Sequence, residues 1–67
     1  MEEYLKTLLE QIRCKKAHAS IYHEIRGHIE EQVADNIAED MSKDDALKAA
    51  LNDMGDPVQT GVEMDQL

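Results

Sequence analysis

The chain has 67 residues and a mass of 7.6 kDa, with no Trp or Phe and two Tyr, so one small domain with an aliphatic core is expected. Its net charge of −8 at pH 7 excludes a typical nucleic-acid-binding module, because phosphate contacts need a positive protein face. The single Cys14 cannot form an intramolecular disulfide, which favours a reducing compartment, and the sequence indicates neither a membrane span nor a secretion signal.

A first helix is predicted over residues 2–16. Leu5, Leu8, Leu9 and Ile12 recur at i, i+3, i+4 and i+7, which places them on one helical face, and Tyr4 extends that face. The periodicity is lost over residues 15–19. We therefore expect a short turn there.

A second helix is predicted over residues 20–40, with Ser20 as its N-cap. Apolar residues recur in it at strict i+4 spacing; they are Ile21, Ile25, Ile29, Val33, Ile37 and Met41. Each step drifts by about 40° around the helix, so the early half of this stripe is expected to face the first helix and the late half the element that follows. Gly27 lies inside this helix, where glycine costs up to about 1 kcal/mol, and we interpret it as marking a close helix crossing.

A third helix is predicted over residues 43–54. Ser42 is a favoured N-cap, and Asp44 and Asp45 in the first turn suit the positive end of the helix dipole. Gly55 stands where a residue in the left-handed region ends a helix, so this helix is expected to stop at Met54.

A short fourth helix is predicted over residues 57–65. Asp56 is its expected N-cap, Pro57 suits the first helical position, and Gln59 is positioned to reach back to the cap, while Gly61 weakens the helix. The predicted fold is thus all-α: one domain over residues 1–67, built as a three-helix bundle with a short fourth C-terminal helix.

The histidines do not form a convincing metal site. His23 and His28 are five residues apart, so they point about 140° apart on a helix and cannot share a tetrahedral zinc ion. Cys14 and His18 are four residues apart, which leaves a metal-dependent sensor as a minor alternative. His28 follows Gly27 and is interpreted as a boundary residue, with a pH-sensitive packing switch as the sharper alternative.

Three segments together resemble the permease-prefix family of short helical domains, also called helix-turn-helix-associated alpha-helical signalling (HAAS) domains. They are Glu-Ile-Arg-Gly-His-Ile-Glu-Glu-Gln at 24–32, Met-Ser-Lys-Asp-Asp-Ala-Leu-Lys-Ala-Ala-Leu at 41–51, and Met-Gly-Asp-Pro-Val at 54–58. Residues 12–18 and 54–61 look like the prefix ahead of FtsW/RodA/SpoVE-type membrane proteins of cell division and peptidoglycan synthesis. The chain departs from the pattern at Asp40, where relatives often place a helix-ending glycine, so the second helix is expected to end within two residues of Asp40.

The resemblance implies a non-enzymatic, cytoplasmic N-terminal interaction or signalling domain of a bacterial multi-span membrane protein. It implies no catalytic residue, cofactor or metal, and it places the domain on the cytoplasmic side of the cell membrane. The expected partner is the protein's own membrane-spanning region or a cytoplasmic regulatory protein, and nucleic acid is not expected. Relatives also occur beside PadR-family transcriptional repressors, so a signalling module that works with such a repressor is the alternative.

The surface for docking is expected to consist of apolar or boundary residues that so small a core leaves uncovered. The candidates are Tyr4, Tyr22, Ile25, His28 and Met64. Weak homodimer formation through the same surface is also predicted, because additional burial would offset marginal stability.

Overall fold

The structure is a computed structural model that describes residues 1–66. Within them the chain forms no strand and four α-helices, which are α1 (Glu2–Glu10), α2 (His18–Ala38), α3 (Lys43–Met54) and α4 (Pro57–Asp65), with a 3₁₀ turn at Lys15–Ala17. The predicted all-α bundle with a short C-terminal helix is confirmed. The C-terminal Leu67 of the predicted domain lies outside the described residues.

The helices pack as two pairs that share one core. α2 and α3 form a hairpin, while α1 lies against α4 and against the first half of α2. Residues 4, 8 and 13 meet residues 55, 61 and 65 in that order, so α1 and α4 run parallel. Leu5, Ile29 and Ala50 form the buried centre, and the molecule measures 38 × 18 × 18 Å.

α1 ends at Glu10, six residues before the predicted end, and the prediction of a helix over 2–16 is wrong there. In a continued helix the Arg13 N–H would bond within α1; instead it donates to the Asp65 carboxylate at 2.8 Å. The Ile12 carbonyl likewise pairs with the His18 ring at 2.7 Å. Ile12 is still buried, but a non-helical segment now presents it to the core.

α2 begins at His18, two residues before the predicted start. The 3₁₀ turn leads directly into it, closed by the bond from the Ala17 N–H to the Cys14 carbonyl at 3.1 Å. Ser20 is therefore a residue of the first helical turn and not the N-cap, which is Ala17.

The end of α2 confirms the expectation for Asp40. The helix ends at Ala38, and Asp40 has a φ of 71°, the only non-glycine residue with positive φ among those described. The Asp40 N–H bonds to the Ile37 carbonyl at 3.0 Å, and the Met41 N–H bonds to the Asn36 carbonyl at 3.2 Å. These two bonds form a Schellman motif, here closed by an aspartate where glycine is usual.

α3 begins and ends at the predicted residues. The Ser42 hydroxyl accepts a hydrogen bond from the Asp45 N–H at 3.2 Å. The helix stops at Met54, and Gly55 follows with a φ of 86°, a conformation that L side chains rarely adopt.

α4 also begins as predicted, with one difference. The Asp56 carboxylate accepts from the Val58 N–H at 2.8 Å, and Pro57 occupies the first helical position. Gln59, however, donates forward to Glu63 at 3.0 Å and does not reach back to the cap. The cap is therefore completed by Asp56 without the capping-box partner that the sequence predicted.

The interpretation of Gly27 as a helix crossing is wrong. Gly27 is exposed, and a Cβ added there would meet nothing within 4 Å. The close crossing is at Gly61, where a Cβ would lie 2.3 Å from the Leu8 carbonyl oxygen and 2.8 Å from the Gln11 Cβ. Gly61 thus allows α4 to approach the backbone of α1.

Candidate interaction surfaces

Tyr4 joins the start of α1 to the junction between α3 and α4. Its hydroxyl donates to the Gly55 carbonyl at 2.7 Å, and its half-buried ring packs against the central core. Burial raises the pKa of Tyr4 above its usual value, the nearby Asp56 carboxylate adds to this, and a hydrogen bond with Thr60 opposes it. The hydroxyl of this candidate is therefore engaged within the chain.

Tyr22 makes a corresponding link between α2 and the start of α1. Its hydroxyl donates to the Glu2 carboxylate, with distances of 2.9 and 3.0 Å to the two oxygens, and it accepts from the Arg26 guanidinium at 3.2 Å. Arg26 also pairs with Glu30 at 2.7 Å, one turn further along α2. Tyr22, Arg26 and Glu30 thus form a polar row along α2, and Tyr22 joins this row to the start of α1.

Of the other three candidates, only Ile25 shares a neighbourhood with the tyrosines. Ile25 is half-buried and packs against the core, and Met64 on α4 is also half-buried. His28 is exposed, so its ring does not pack inward, and the packing-switch interpretation is wrong. Of the five candidates, only Tyr4, Tyr22 and Ile25 share a neighbourhood, the central core.

A groove of about 340 Å³ lies between α1 and the beginning of α2. Its lining includes Leu9, His18 and Tyr22, together with charged residues of α1. The His18 ring already bonds to the Ile12 carbonyl, and the Tyr22 hydroxyl is bound by Glu2. The His18 ring and the Tyr22 hydroxyl thus hold α2 against α1 and the segment that follows it.

Arg13 and Asp65 connect the segment after α1 to the end of α4. The Arg13 backbone N–H and its guanidinium Nε each lie 2.8 Å from one Asp65 carboxylate oxygen. The backbone hydrogen bond, followed by the guanidinium, holds the pKa of Asp65 below its usual range, although partial burial acts in the opposite direction. These contacts fix the C-terminal helix at a second point besides the Gly61 crossing.

Asn36 is the one buried polar residue among those described, and sequence reasoning did not single it out. Its side-chain amide donates to the Ala46 carbonyl of α3 at 3.1 Å and accepts from Gln32 at 3.2 Å. These bonds fix the register of the α2–α3 hairpin near its closed end. In the sequence, Asn36 stands next to Ile37 of the predicted apolar stripe. Periodicity alone does not show that such a neighbouring position is buried.

Among residues 1–66, four large apolar side chains are exposed, and none of them was among the predicted surface residues. Ile37 and Met41 are each 40% exposed at the closed end of the hairpin, while Val58 and Val62 are 44% and 39% exposed on α4. The expectation that the late half of the α2 stripe would be covered by the following element is therefore wrong for Ile37 and Met41. We call these two residues the hairpin-end pair, and Val58 with Val62 the α4 pair.

The hairpin-end pair lies in an acidic environment. Residues 1–26 carry five basic and four acidic side chains, which leaves a net charge of −9 for residues 27–67. Residues 30–45 alone contain seven acidic side chains and one basic side chain, Lys43. Glu31, Asp35 and Glu39 follow one another at i+4 along α2 and its C-cap, all of them exposed.

The histidines and Cys14 are not brought together. In residues 1–66 no group of three or more His, Cys, Asp or Glu side chains is placed to hold a metal ion. Cys14 is exposed at the start of the 3₁₀ turn, and the His18 Nε2 atom is engaged by the Ile12 carbonyl. The structure thus gives no support to the metal-sensor alternative.

Among residues 1–66, no helix has the length and apolar character needed to cross a bilayer. Comparison with known protein families, with curated proteins and with solved structures gives no match for this chain.

Proposed function

We propose that this chain is a non-enzymatic interaction domain, positioned at the cytoplasmic N-terminus of a bacterial multi-span membrane protein of the FtsW/RodA/SpoVE type. The single observation that carries the proposal is the exposure of two apolar pairs, one at the closed end of the α2–α3 hairpin and one on α4, in a domain with a very small core. In the part of the chain that the structure describes, the only large side chains that are fully buried are Leu5, Leu8 and Ile29. Apolar area left outside such a core is available for a partner.

The residues that carry the family resemblance support a role in shaping the domain. Ser42 and Asp56 cap helices, Pro57 occupies a first helical position, and Gly55 adopts the positive φ that separates α3 from α4. Each of these four residues is thus used at a helix end. A signature of this kind specifies a scaffold, and the scaffold presents surfaces for docking.

The test is to locate the natural protein in its cells with an antibody raised against the purified 67-residue chain. The expected result is a protein much larger than 7.6 kDa that stays in the membrane fraction after alkaline washing and is released by detergent. The gene beyond the codon for Leu67 should then encode several apolar segments of about 20 residues each.

A soluble species of about 7.6 kDa would contradict the proposal. Its co-purification with a PadR-family repressor would favour the alternative of a soluble signalling module. An antibody pre-absorbed with the purified chain provides the control for specificity.

A further inference from the structure

The side of α4 that packs against α1 contains few large side chains. The more buried positions of α4 recur at i, i+3, i+4 and i+7, and they are Pro57, Thr60, Gly61 and Met64. Among residues 57–65 only Gly61 is fully enclosed, and it has no side chain. Val58 and Val62 lie on another side of the helix and are 44% and 39% exposed. The docking of α4 therefore depends on a close backbone approach more than on the burial of its own large side chains.

The surface of α1 that α4 covers is apolar. Leu8 and Ile12 are 0% and 5% exposed, yet neither belongs to the central core that α2 and α3 share with the start of α1. α4 makes its main contact with α1 and no comparable contact with α2 or α3 among the residues that the structure describes. A Cβ at Gly61 would meet the Leu8 carbonyl oxygen, so the two helices are closest at this level. Without α4, this side of α1 would face water.

Polar contacts hold α4 at its two ends. The Thr60 hydroxyl donates to the Met54 carbonyl at 3.3 Å near the start, and Asp65 accepts from Arg13 near the end. The Arg13 side chain is 87% exposed, so water competes for this ion pair and weakens it. Gly55, which is exposed and has positive φ, joins α4 to α3 and can act as a hinge between them.

The α2–α3 hairpin is held more firmly than α4. Ile29 of α2 and Ala46 and Ala50 of α3 are at most 1% exposed. The Asn36 amide also bonds to the Ala46 carbonyl across the hairpin. Parts of a protein with few buried side chains open at a lower free energy than parts with many. The contacts therefore predict that α4 separates from α1 before the hairpin unfolds.

We propose that α4 is a detachable helix, which opens about Gly55 as a unit and uncovers Leu8 and Ile12 while the α2–α3 hairpin stays folded. The apolar side of α1 is then closed in one state of the domain and accessible in the other. α4 acts as an autoinhibitory cover of that surface. The inference goes beyond the proposed function and needs only contacts within this chain.

The experiment is native-state hydrogen exchange of the ¹⁵N-labelled 67-residue chain, followed by NMR at increasing urea concentrations below the unfolding transition. Amides of α4 are expected to be protected at least about tenfold less than the slowest amides of α2 and α3. Their exchange should also depend only weakly on urea, because opening of one short helix exposes less surface than global unfolding does.

Two variants separate the opening of α4 from unfolding of the hairpin. Asn36→Ala should speed exchange of the slowest hairpin amides and leave the α4 amides unchanged, because the detached state keeps the Asn36 bonds. Gly61→Ala should speed exchange of the α4 amides about tenfold, since the added methyl group pushes α4 away from α1. Gly27→Ala is the matched control, with a Cβ that meets nothing within 4 Å, and should leave the α4 amides unchanged.

Thiol labelling tests which surface the opening uncovers. Leu8→Cys and Ile29→Cys are compared in a Cys14→Ser background, since both positions are 0% exposed in the folded chain. Urea melts give the global unfolding constant of each variant. Leu8→Cys should react at least about tenfold faster than its own global unfolding allows, whereas Ile29→Cys should react no faster than its global unfolding allows.

The inference would be overturned if α4 and the hairpin amides had the same protection and urea dependence, or if Asn36→Ala accelerated both sets equally. Either result would show that the domain opens only as one cooperative unit. Labelling of Leu8→Cys at its global unfolding rate would show that α4 does not cover this side of α1. None of these outcomes depends on the cell-fractionation result, so the proposed function is tested separately.

Discussion

The two helical glycines provide a sharp test of the packing of α4 on α1. Gly27 and Gly61 both lie inside helices, and replacing either by alanine removes the same intrinsic penalty of up to about 1 kcal/mol. Their surroundings differ completely. A Cβ at Gly27 meets nothing within 4 Å, whereas a Cβ at Gly61 lies 2.3 Å from the Leu8 carbonyl oxygen.

Gly27→Ala is therefore expected to stabilise the domain by about 0.5–1 kcal/mol. Gly61→Ala places a methyl group about 1 Å too close to a backbone atom of α1, which cannot rotate away as a side chain would. Overpacking of this kind costs about 1–3 kcal/mol, or more when backbones collide, so the propensity gain is outweighed. We expect a net loss of about 1–2 kcal/mol or more at Gly61.

The assay is thermal and urea unfolding followed by circular dichroism at 222 nm. For a domain of this size each kcal/mol corresponds to about 4–8 °C in Tm, so the two variants should shift Tm in opposite directions and differ by about 6 °C or more. A Gly61→Ala chain at least as stable as the parent would show that α4 does not lie against α1 at this distance. A Gly27→Ala chain that is clearly destabilised would show that Gly27 is a packing position after all.

Three further changes have distinct expected results. Asp40→Gly should raise the free energy of unfolding by about 0.5–1 kcal/mol, because glycine adopts the φ of 71° without strain. Asp40→Val should lower it, and the urea unfolding midpoints of the two variants provide the comparison. Asn36→Ala should cost about 1–3 kcal/mol, since it removes the partner of Ala46 and Gln32, whereas the exposed Asn52→Ala should be nearly neutral in the same assay. The pKa of Tyr4 is raised in the folded state. The contribution of Tyr4 to the free energy of unfolding is therefore complete below the pKa that it has in the unfolded chain, and it is lost as the pH rises through the folded-state pKa. Tyr4→Phe should therefore cost about 1 kcal/mol near neutral pH and flatten the alkaline loss of stability, measured by melts across that range.

The helix ends that the sequence predicted correctly depend on residues close together in the chain. The cap at Ser42 involves Asp45, and the cap at Asp56 involves Val58. The turn at Asp40, which was expected from the family resemblance, is closed by bonds to the Ile37 and Asn36 carbonyls only a few residues back. Such features are local, so the order of residues suffices to predict them.

The end of α1 depends on a partner far away in the sequence. Arg13 leaves the helix because its N–H bonds to Asp65, which is 52 residues further on. The roles of Gly27 and Gly61 were misassigned for a similar reason. Propensity describes the cost of a glycine, but the helix that lies against it decides whether the missing side chain is needed.

The candidate surface was missed because a stripe at strict i+4 spacing does not show where the neighbouring helix lies. Ile29 is fully buried, and Ile37 lies two steps further on, about 80° around the helix axis. At that level α3 approaches the adjacent residue, Asn36, which bonds to Ala46. The stripe has by then wound away from α3, and Ile37 is left outside.

The last turn of α2 thus has its polar and apolar side chains inverted, with Asn36 buried and its neighbour Ile37 40% exposed. Selection for stability alone favours the opposite arrangement, since an exposed isoleucine contributes little and a buried amide must be satisfied by hydrogen bonds. Departures from local consistency of this kind are expected mainly at functional or strained sites. The Asn36 bonds compensate for the inversion by fixing the hairpin, and the consequence is an exposed apolar pair at an ordered turn.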